Sequence, residues 1–429
     1  PLKGPSQKSL LMSRLGMIFE VAQSHSTFVY LDMEFFDDLF LTIDVFQTIL
    51  DEPRFKSLYA GIVLQSYIPN SFGIQKDLTE WAQERVKMGG SPIKIRLVKG
   101  ANLRMEQIIA SQSDWSQAPY SEKIDTDANF KKMILYACRP QNAHSAHIGI
   151  GSHNVFDISF ALLERAQHGV EQYVSFEMLY GMGTHVRKVV QMLVDDVLLY
   201  CPISHPGHTH YSIAYLLRRL DENMSPENFL RHLYTIRPGT PQWTQEVERF
   251  ISSFSATREV SQESHRLQNR VTESPIGLTE DSPFTNEPDT DWVLPHNVAW
   301  ANDLLASNPV STNDTVQWAS DSDINTTIGI LSEPCSSAES DSVKDRSALL
   351  GKMAMTLRNH RKELIRLIQH TVHKSVLEAD AEVSEAIDFL EYYRRQYLTL
   401  SNDPNLTLTP IGLTCVIPPW NFPCSIPVG

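Results

Sequence analysis

The sequence predicts an α/β fold over its first 255 residues, an incomplete (β/α)8 barrel. Six short β-rich runs alternate with longer helical segments and recur roughly every 25 to 50 residues, as βα units do. The runs are nearly continuous in apolar residues, which is typical of parallel strands buried on both faces. Because a closed barrel of this kind has eight strands, two more are expected before residue 1. The six runs span residues 28–34, 60–69, 93–102, 147–154, 172–183 and 196–203.

Polar side chains stand at the carboxyl end of nearly every run. In a (β/α)8 barrel these ends form the mouth of the active site, so the pattern favours a barrel. An open doubly wound sheet is the alternative, but it normally binds its ligand at one switch point beside a glycine-rich first turn. The polar residues are Asp32, Glu34, Gln65, Arg96, Lys99, His153, Asn154, Glu177 and Tyr200.

The composition indicates a soluble protein of two or three domains. The chain has 429 residues, 42% of them hydrophobic and 21% charged, so large cores are available. A formal net charge of -14 argues against a nucleic-acid-binding surface. The most apolar run, VVQMLVDDVLLYC, is interrupted by Asp195 and Asp196 and is too short to span a membrane. Five cysteines without a CxxC pair suggest no disulfide framework, so a reducing cytoplasm is expected.

A second region follows a change of composition. Residues 256–284 are rich in Ser, Glu, Pro and Asp and predict a linker between a domain over 1–255 and one over 285–429. In the second domain NTTIGIL predicts a strand, and the runs 345–370 and 378–396 each predict a helix. TPIGLTCVIPPWNFP predicts a strand closed by prolines.

Two clusters carry metal-ligating side chains, and neither predicts a metal site. Asp32 and Glu34 can face the same side of a strand but have no obvious further ligand. His205, His208 and His210 follow the last run, where solvated loop histidines are commoner than a zinc site. GIGSHN and GMGTHV contain GxG without the rest of a dinucleotide fingerprint, so these glycines are interpreted as turn or close-approach positions.

The segment RLVKGANLRME places two cations at the end of the third run. Arg96 and Lys99 flank the strand end, and Gly100 permits a close approach to the backbone. Such cations suit a flavin, a phosphate or a substrate carboxylate, whereas a strand-end ion pair is at least as good an explanation of the segment alone. Polar ends on the neighbouring runs favour ligand binding.

The predicted helix SIAYLLRRLDEN, residues 212–223, combines two arginines with a carboxylate. Arg218 and Arg219 can both reach Glu222, and Tyr215 lies one turn before them. Two guanidinium groups set by a carboxylate would bind a carboxylate or a phosphate, although solvated ion pairs are the commoner role of such residues. The opposite face carries an apolar stripe of helical period: Ile213, Leu216, Leu217 and Leu220.

Several motifs resemble the proline dehydrogenase barrel in order along the chain: YLDME, LQSY, RLVKGA, SHN, YGMG, Tyr200 and AYLLRRLDEN. Beyond the linker, NEPDTDWVLPHNVAWA resembles the junction of the bifunctional proline utilization A family, which joins this barrel to an aldehyde dehydrogenase. EADAEVSEAIDFLEYY and PIGLTCVIPPWNFP resemble the N-terminal part of that second domain. The resemblance therefore implies a proline dehydrogenase barrel followed by the N-terminal part of an aldehyde dehydrogenase fold.

The resemblance also implies residue roles in the barrel. Arg218 and Arg219 would bind the proline carboxylate while Glu222 holds them, and Tyr200 and Tyr215 would pack against the pyrrolidine ring. Asp32 would help to place the flavin and the arginines, and Arg96 would donate to the reactive nitrogen of the flavin. The further FAD contacts implied are Met33, Gln65, Lys99, Gly100, Ala101, Ser152 and His153.

The function implied by the resemblance is proline catabolism. The barrel would oxidise L-proline to 1-pyrroline-5-carboxylate with FAD and pass electrons to a quinone, in a cytoplasmic homo-oligomer peripheral to the inner membrane. The second domain would oxidise L-glutamate γ-semialdehyde to glutamate with NAD, using Asn421 as an oxyanion donor and a cysteine expected after Gly429. Two alternatives stay open: an inactive barrel scaffold, and a barrel enzyme that acts on a phosphorylated substrate.

Overall fold

A computed structural model of the protein shows two compact units. Among the described residues, the first unit contains the chain up to Leu267 except residues 112–115, and the second contains those residues together with the chain from residue 268 onwards. The division between the units falls inside the segment 256–284, which the composition predicts to be a linker. The structure describes residues 5–194, 197–224, 228–233, 235–279, 282–306, 319–332, 342–409 and 413–429.

Six parallel strands form one sheet in the first unit and stand side by side in chain order. Each predicted β-rich run overlaps one of them, so the strand prediction is confirmed. A strand order that never reverses has no switch point of the doubly wound kind, and it corresponds to six of the eight strands of a barrel. The strands are β1 (Val29–Leu31), β2 (Ala60–Gln65), β3 (Ile93–Val98), β4 (Ala146–Gly151), β5 (Val174–Leu179) and β6 (Val197–Tyr200).

Helices follow the strands, and local signals set their ends. For example, the Asn154 side chain accepts from the Phe156 N–H at the start of the helix Val155–His168, and Gly169 ends that helix in the left-handed conformation. The apolar stripe of α9 faces solvent: Ile213 and Leu217 are 55% and 57% exposed. The helices are α1 (Pro5–Ser24), α2 (Leu39–Leu50), α3 (Ser71–Lys87), α4 (Leu103–Gln112), α5 (Lys123–Ala137), α6 (Pro140–Ala143), α7 (Val155–His168), α8 (Thr184–Leu193), α9 (Thr209–Met224) and α10 (Pro241–Ser255).

The two faces of the sheet differ in chemistry, because successive side chains of a strand point to opposite faces. On the apolar face, Ile62, Ile95 and Ile148 lie in register and are at most 1% exposed. The opposite face is named the polar face here. The polar face carries Tyr30, Asp32, Gly61, Gln65, Lys94, Arg96, Gly149, Glu177 and Tyr200.

The second unit is helical in its described residues. Capping boxes start two helices, with Ser342 and Asp345 at the helix Val343–Asn359 and Ser375 and Glu378 at the helix Val376–Ser401. The rings of Trp292 and Trp300 stack, with centroids 6.0 Å apart, in a core that also holds Ala301, Leu304, Ala354, Ile365, Ile368, Val383, Ile387 and Leu390. The helices are α11 (Pro295–Ala306), α12 (Asp321–Ser332), α13 (Val343–Asn359), α14 (Arg361–Val372), α15 (Val376–Ser401) and α16 (Ser425–Val428). None of the helices in the described residues is long and apolar enough to cross a membrane.

The strand predicted for NTTIGIL, residues 325–331, is wrong, because this segment lies in α12. Ser320 and Asp323 cap the helix reciprocally: the Ser320 hydroxyl accepts from the Asp323 N–H at 3.2 Å, and the Asp323 carboxylate accepts from the Ser320 N–H at 2.9 Å. Asp321 adds negative charge to the first turn, which the helix dipole favours. These start signals outweigh the β preference of Ile and Thr.

Two further expectations are corrected. The run 345–370 forms two helices rather than one, because α13 ends and α14 begins at His360. TPIGLTCVIPPWNFP holds no strand in its described residues, 409 and 413–423. Leu413 and Ile417 are 51% and 86% exposed, and an apolar run that remains in solvent gains little by extending as a strand.

Candidate active site

Asp32, Arg96 and Glu177 form a chain of ion pairs on the polar face. Arg96 donates from Nη1 to the Asp32 carboxylate at 2.9 Å and from Nε to the Glu177 carboxylate at 2.5 Å. The side chains of Arg96 and Glu177 are 11% and 4% exposed, whereas that of Asp32 is 46% exposed. The chain of contacts therefore leads from the interior to a carboxylate that solvent can reach.

Glu177 accepts from two further donors. Tyr30 donates its hydroxyl to Oε1 at 2.5 Å, and Lys94 Nζ lies 2.9 Å from the same oxygen. Burial alone would raise the pKa of Glu177, but Lys94, Arg96 and the Tyr30 hydroxyl together outweigh burial and lower it. Glu177 is therefore held as a carboxylate.

Two glycines leave the space that this cluster occupies. A Cβ at Gly149 would lie 2.0 Å from Oε1 of Glu177 and 3.0 Å from the Tyr30 hydroxyl oxygen. A Cβ at Gly61 would lie 2.3 Å from the Tyr30 ring. A side chain at either position would collide with the cluster. The cluster therefore requires glycine at both positions.

Asp32 has a perturbed acidity. Burial raises its pKa above the ordinary value, the positive charge of Arg96 opposes this, and the carboxylates of Glu34 and Glu177 add to the rise. Asp32 therefore holds a proton at higher pH than a solvated aspartate would. A carboxylate in this state can respond to a ligand that places a donor or a charge beside it.

Lys99 belongs to a second cluster beyond the end of β3. Its Nζ lies 2.6 Å from Asp127 and 2.7 Å from Asp157. Lys131 lies 3.5 Å from Asp157, and Lys123 lies 2.9 Å from Asp127. Burial would lower the pKa of Lys99, but the two aspartates outweigh burial and raise it. Three ammonium groups against two carboxylates leave one positive charge, which suits an anionic ligand.

The Gln65 amide fixes the chain that follows β1. Its Nε2 donates to the carbonyl oxygens of Met33 and Glu34 at 3.1 and 3.2 Å. Asn102 also donates to the Glu34 carbonyl, at 2.8 Å. Both hydrogens of the Gln65 amide are used in this way, and no described residue donates to its oxygen, which is therefore the atom left for a ligand. The Met33 side chain is buried.

Gly100 and Ala101 follow the end of β3. Gly100 has a φ of 122°, and a Cβ there would lie 2.6 Å from the Tyr67 ring. The glycine therefore makes room for Tyr67, where the sequence suggests room for a ligand. Ala101 is exposed beside it.

Ser152 and His153 follow the end of β4. The Ser152 hydroxyl accepts from the Asn154 N–H at 3.1 Å, and Nε2 of His153 accepts from the Leu179 N–H at 3.2 Å. The second bond assigns to His153 the neutral tautomer with its proton on Nδ1. Burial lowers the pKa of His153, and the charge of Arg219 acts in the same direction. His153 therefore offers one N–H donor.

Aromatic rings connect Arg96 to helix α9. The Tyr200 ring centre lies 5.9 Å from Cζ of Arg96 and 6.0 Å from the Tyr215 ring centre. Cζ of Arg219 in turn lies 5.3 Å from the Tyr215 ring centre. The structure therefore brings together five predicted residues in one series of contacts, from Asp32 to Arg219.

Two further predicted residues have side chains that the structure does not describe, and a third lies in the second unit. The side chains of Arg218 and Glu222 lie outside the part of the chain that the structure describes. Asn421 belongs to the second unit, where the Phe422 N–H donates to the Pro419 carbonyl at 3.1 Å and closes a turn. Asn421 is the third residue of that turn.

The histidines after β6 are close to one another without forming a ligand set. The rings of His205 and His208 lie 6.0 Å apart, and those of His208 and His210 lie 5.9 Å apart. Across the described ranges of the chain, no group of three or more His, Cys, Asp or Glu side chains is arranged to hold a metal ion.

The donors at the strand ends fit the flavin that the resemblance implies. Among the described residues, Nη2 of Arg96 has no protein acceptor, so one edge of its guanidinium remains for a ring acceptor. The Lys99 cluster has an excess of positive charge that suits a phosphate, and His153 supplies a further N–H. Asp32 and Tyr200 remain open to solvent, so a flat ring has access to this side.

The polar strand ends follow from the sequence, but the residues that hold them in place do not. Glu177 is predicted only as a polar strand end, without a role in the site. The signal that was available is parity: residues two apart on a strand share a face, which places Tyr30 beside Asp32 and Lys94 beside Arg96. The residues without a predicted role are Tyr30, Lys94, Asp127, Asp157 and Glu177.

Two sequence families match the chain. The family described as proline dehydrogenase matches residues 2–232, more than half of the chain. The aldehyde dehydrogenase family matches residues 304–429. The matches follow the order that the resemblance implies.

Relatives of known name and structure agree with this order. The bifunctional protein PutA of Salmonella typhimurium is 25% identical over 98% of the chain and 33% of its own length. A 1-pyrroline-5-carboxylate dehydrogenase of Halalkalibacterium halodurans is 38% identical over 20% of the chain and 19% of its own length. The solved structure of proline utilization A from Corynebacterium freiburgense is 35% identical with a TM-score of 0.83, over 99% of the chain and 40% of that structure. The chain thus spans about a third of the length of the bifunctional relative.

Proposed function

The chain belongs to the proline dehydrogenase family, and we propose that its first unit oxidises L-proline to 1-pyrroline-5-carboxylate with FAD. One observation carries the proposal: the series of contacts on the polar face that joins Asp32 and Arg96 to Tyr200, Tyr215 and Arg219. It places a carboxylate, cations and two aromatic rings beside one another at the strand ends. That is the chemistry needed to hold a small cyclic amino acid against a flat cofactor.

The substrate is held by α9 and the strand ends. Arg219 binds the substrate carboxylate, and we propose that Arg218 forms the second half of this site with Glu222 as its anchor. Tyr200 and Tyr215 pack against the ring and exclude water from the reacting carbon. Binding at both ends fixes the substrate in one orientation, which lowers the entropic part of the barrier.

FAD would be held by residues at the ends of β2, β3 and β4. Arg96 would donate to its ring system, while Asp32 holds Arg96 in place from the solvent side. The remaining contacts would come from Met33, Gln65, Lys99, Gly100, Ala101, Ser152 and His153. When bound, FAD would supply the hydride acceptor for the oxidation.

The second unit is proposed to oxidise L-glutamate γ-semialdehyde to glutamate with NAD. The aldehyde dehydrogenase match over 304–429 and the name of the shorter relative support this proposal. Asn421 would donate to the oxyanion formed at the aldehyde carbon. Glu382 supports this segment, because its Oε1 accepts from the Cys424 N–H at 2.7 Å. A quinone acceptor at a membrane surface, a cytoplasmic location and a homo-oligomeric state complete the proposal for the whole protein.

The first test is the colour and the reactivity of the purified protein. We expect flavin absorbance and reduction of an artificial dye that depends on L-proline. Protein that refolds with added FAD, stays colourless and reduces no dye would contradict the proposal. It would also support the inactive scaffold.

The second test is Arg219→Met. Loss of the carboxylate contact should raise the KM for proline by about ten- to a hundredfold, as for a lost hydrogen bond to a charged group, while bound FAD stays unchanged. The control is Arg237→Met, which removes an exposed arginine of the same unit. Loss of FAD in Arg219→Met would show that the helix binds the cofactor. Protection from proteolysis by phosphate but not by a proline analogue would favour the phosphorylated substrate instead.

A further inference from the structure

We infer that Glu177 is a positioning residue of the flavin site: it fixes the guanidinium of Arg96 in one orientation and balances its charge. The inference rests on the proposed function, because it concerns how the protein holds and tunes the flavin. Glu177 contacts Arg96, Lys94 and Tyr30 and acts through Arg96.

Glu177 reaches Arg96 across an intervening strand. Arg96 lies on β3 and Glu177 on β5, and β4 stands between them. The path is open because β4 has Gly149 there, where a Cβ would lie 2.0 Å from Oε1 of Glu177. The backbone of Gly149 is not in the left-handed region, so space rather than backbone conformation explains this glycine.

The guanidinium of Arg96 is restrained from three sides. Its Nε edge donates to Glu177 and its Nη1 donates to Asp32, so carboxylates hold two of its edges. Its Cζ also lies 4.1 Å from the centre of the Tyr30 ring, which supports the guanidinium from one face. Tyr30 itself is held by Glu177. Removing the carboxylate of Glu177 would therefore release both Arg96 and the ring beneath it.

The cluster is electrically balanced. Lys94 and Arg96 carry two positive charges, and Glu177 and Asp32 carry two negative charges when ionised. The side chains of Lys94 and Glu177 are 13% and 4% exposed, so solvent screens their charges weakly. Without the charge of Glu177, one positive charge would remain beside the flavin. A positive charge stabilises reduced flavin more than oxidised flavin and so raises the midpoint potential.

The competing explanation is that Glu177 serves stability alone. Buried ion pairs of this kind hold many folds together without a part in function. A structural role predicts changes in unfolding, whereas a positioning role predicts changes in the affinity for flavin and in its midpoint potential. The test must therefore read the flavin as well as proline oxidation.

The main variant is Glu177→Gln in the flavin-loaded protein. Glutamine keeps the shape and removes the charge. We expect the flavin to bind about tenfold or more weakly, its midpoint potential to become more positive, and kcat/KM for proline to fall by about ten- to a hundredfold. The control is Glu246→Gln, which removes a buried carboxylate that pairs with Arg249 at 2.7 Å on α10. A midpoint potential and a flavin affinity equal to those of the control would overturn the inference.

Lys94→Gln changes the charge of the cluster in the opposite direction to Glu177→Gln. It also tests the inference if Glu177→Gln fails to fold. It removes a positive charge from the same oxygen of Glu177, so we expect the midpoint potential to shift in the negative direction. In the double variant, Glu177→Gln with Lys94→Gln, the potential should return towards that of the parent protein. A shift of the same sign in both single variants would overturn the inference.

The outcome separates this inference from the proposed function. Parent protein without flavin and without proline oxidation would contradict the proposed function. Parent protein that binds flavin and oxidises proline, with Glu177→Gln indistinguishable from Glu246→Gln, would overturn the inference about Glu177 alone.

Discussion

Two buried networks of ion pairs differ in how they end, and the network of the second unit is closed. Arg358 and Arg361 share the carboxylate of Glu287, at 2.8 and 3.2 Å. Arg358 also binds Glu391 at 2.9 Å, and Arg361 binds Asp380 at 2.6 Å. All five side chains are at most 11% exposed. Each charged group in this network pairs with a buried group of opposite charge.

The network on the polar face of the first unit is open at one end. The side chains of Arg96 and Glu177 are 11% and 4% exposed, so like those of the closed network they are at most 11% exposed. The series then reaches Asp32, whose side chain is 46% exposed. The interior part holds the geometry, and the outer part remains able to meet a ligand.

The difference shows that buried charge alone does not indicate a binding site. In a closed network every charged group pairs with another member of the network. Such a network contributes to the specificity and stability of the fold. In a network with one solvent-accessible member, the buried part holds that member in a fixed position, where a ligand can contact it. Sites of perturbed acidity are informative in the second situation and much less so in the first.

The largest expected effect is a loss of stability when an arginine of the closed network is replaced. Arg361→Met would leave Asp380 buried without its arginine and would remove one of the two arginines that pair with Glu287. It should cost about 3 to 5 kcal/mol of stability in the second unit. Native-state hydrogen exchange of α15 would measure this cost. FAD content should not change, because the flavin is proposed to bind the first unit.

The neighbouring residue supplies the control for Arg361→Met. Lys362 follows Arg361 on α14 and pairs at 2.5 Å with Asp303 of α11, and both side chains of this pair are exposed. Lys362→Met should change the protection of α15 little, because exposed ion pairs contribute little. Equal effects of the two substitutions would contradict the view that burial makes the network structural.

A smaller effect is expected from Gly149→Ala on the polar face. The new Cβ would collide with Glu177 and Tyr30, and relieving that collision should cost about 1 to 3 kcal/mol of stability. We expect the affinity for FAD to fall as well, because Arg96 loses its anchor. Urea unfolding and flavin titration of the same protein would measure the two effects.

Gly73→Ala is the matched control, since no atom lies within 4 Å of a Cβ added at Gly73. Gly73 lies within α3, so alanine should stabilise the helix by about 0.5 to 1 kcal/mol and leave flavin binding unchanged. If Gly149→Ala destabilised the protein without weakening flavin binding, the open network would resemble the closed one after all.

The smallest expected effect concerns Asp388 and Asp32, two carboxylates whose pKa is raised. Burial raises the pKa of Asp388 in the second unit to about 6, and the charge of Glu287 adds to the rise. The folded state therefore binds this proton more tightly than the unfolded state does. The stabilisation is complete below the unfolded pKa near 4 and is lost as the pH rises through about 6.

Asp388→Asn should remove this dependence. The difference in urea midpoint between the parent protein and the variant should shift against the parent as the pH rises from about 4 to about 7. The flavin spectrum should have the same pH dependence in both proteins, whereas Asp32→Asn should alter it. A flavin spectrum that responds equally to both substitutions would contradict the distinction between the two networks.

The sequence predicted the strands and their polar ends well, because both signals are local. A parallel strand buried on both faces needs a nearly continuous apolar run, and such a run is visible without any knowledge of its neighbours. Asp32, Gln65, Arg96 and His153 each follow or end such a run. Once the runs are arranged as a barrel, these residues must meet at one end.

The errors also have a local cause. NTTIGIL has the composition of a strand, but the capping pair Ser320 and Asp323 lies before it and starts a helix. TPIGLTCVIPPWNFP has the composition of a strand as well, yet its described residues remain largely exposed. Composition describes what a segment can form, whereas neighbouring caps and burial select among those forms.

The candidate site also has features that the sequence determines and features that only the folded sheet determines. The chemical types at the strand ends follow from the amino-acid sequence, which places cations, amides and tyrosines after successive strands. The partner of Arg96 does not follow from it, because Glu177 is 81 residues away and Tyr30 is 147 residues from Glu177. Those contacts require parallel register across five strands and the space above Gly149. Both arise when the strands assemble, so the orientation and the charge balance of Arg96 are properties of the folded sheet.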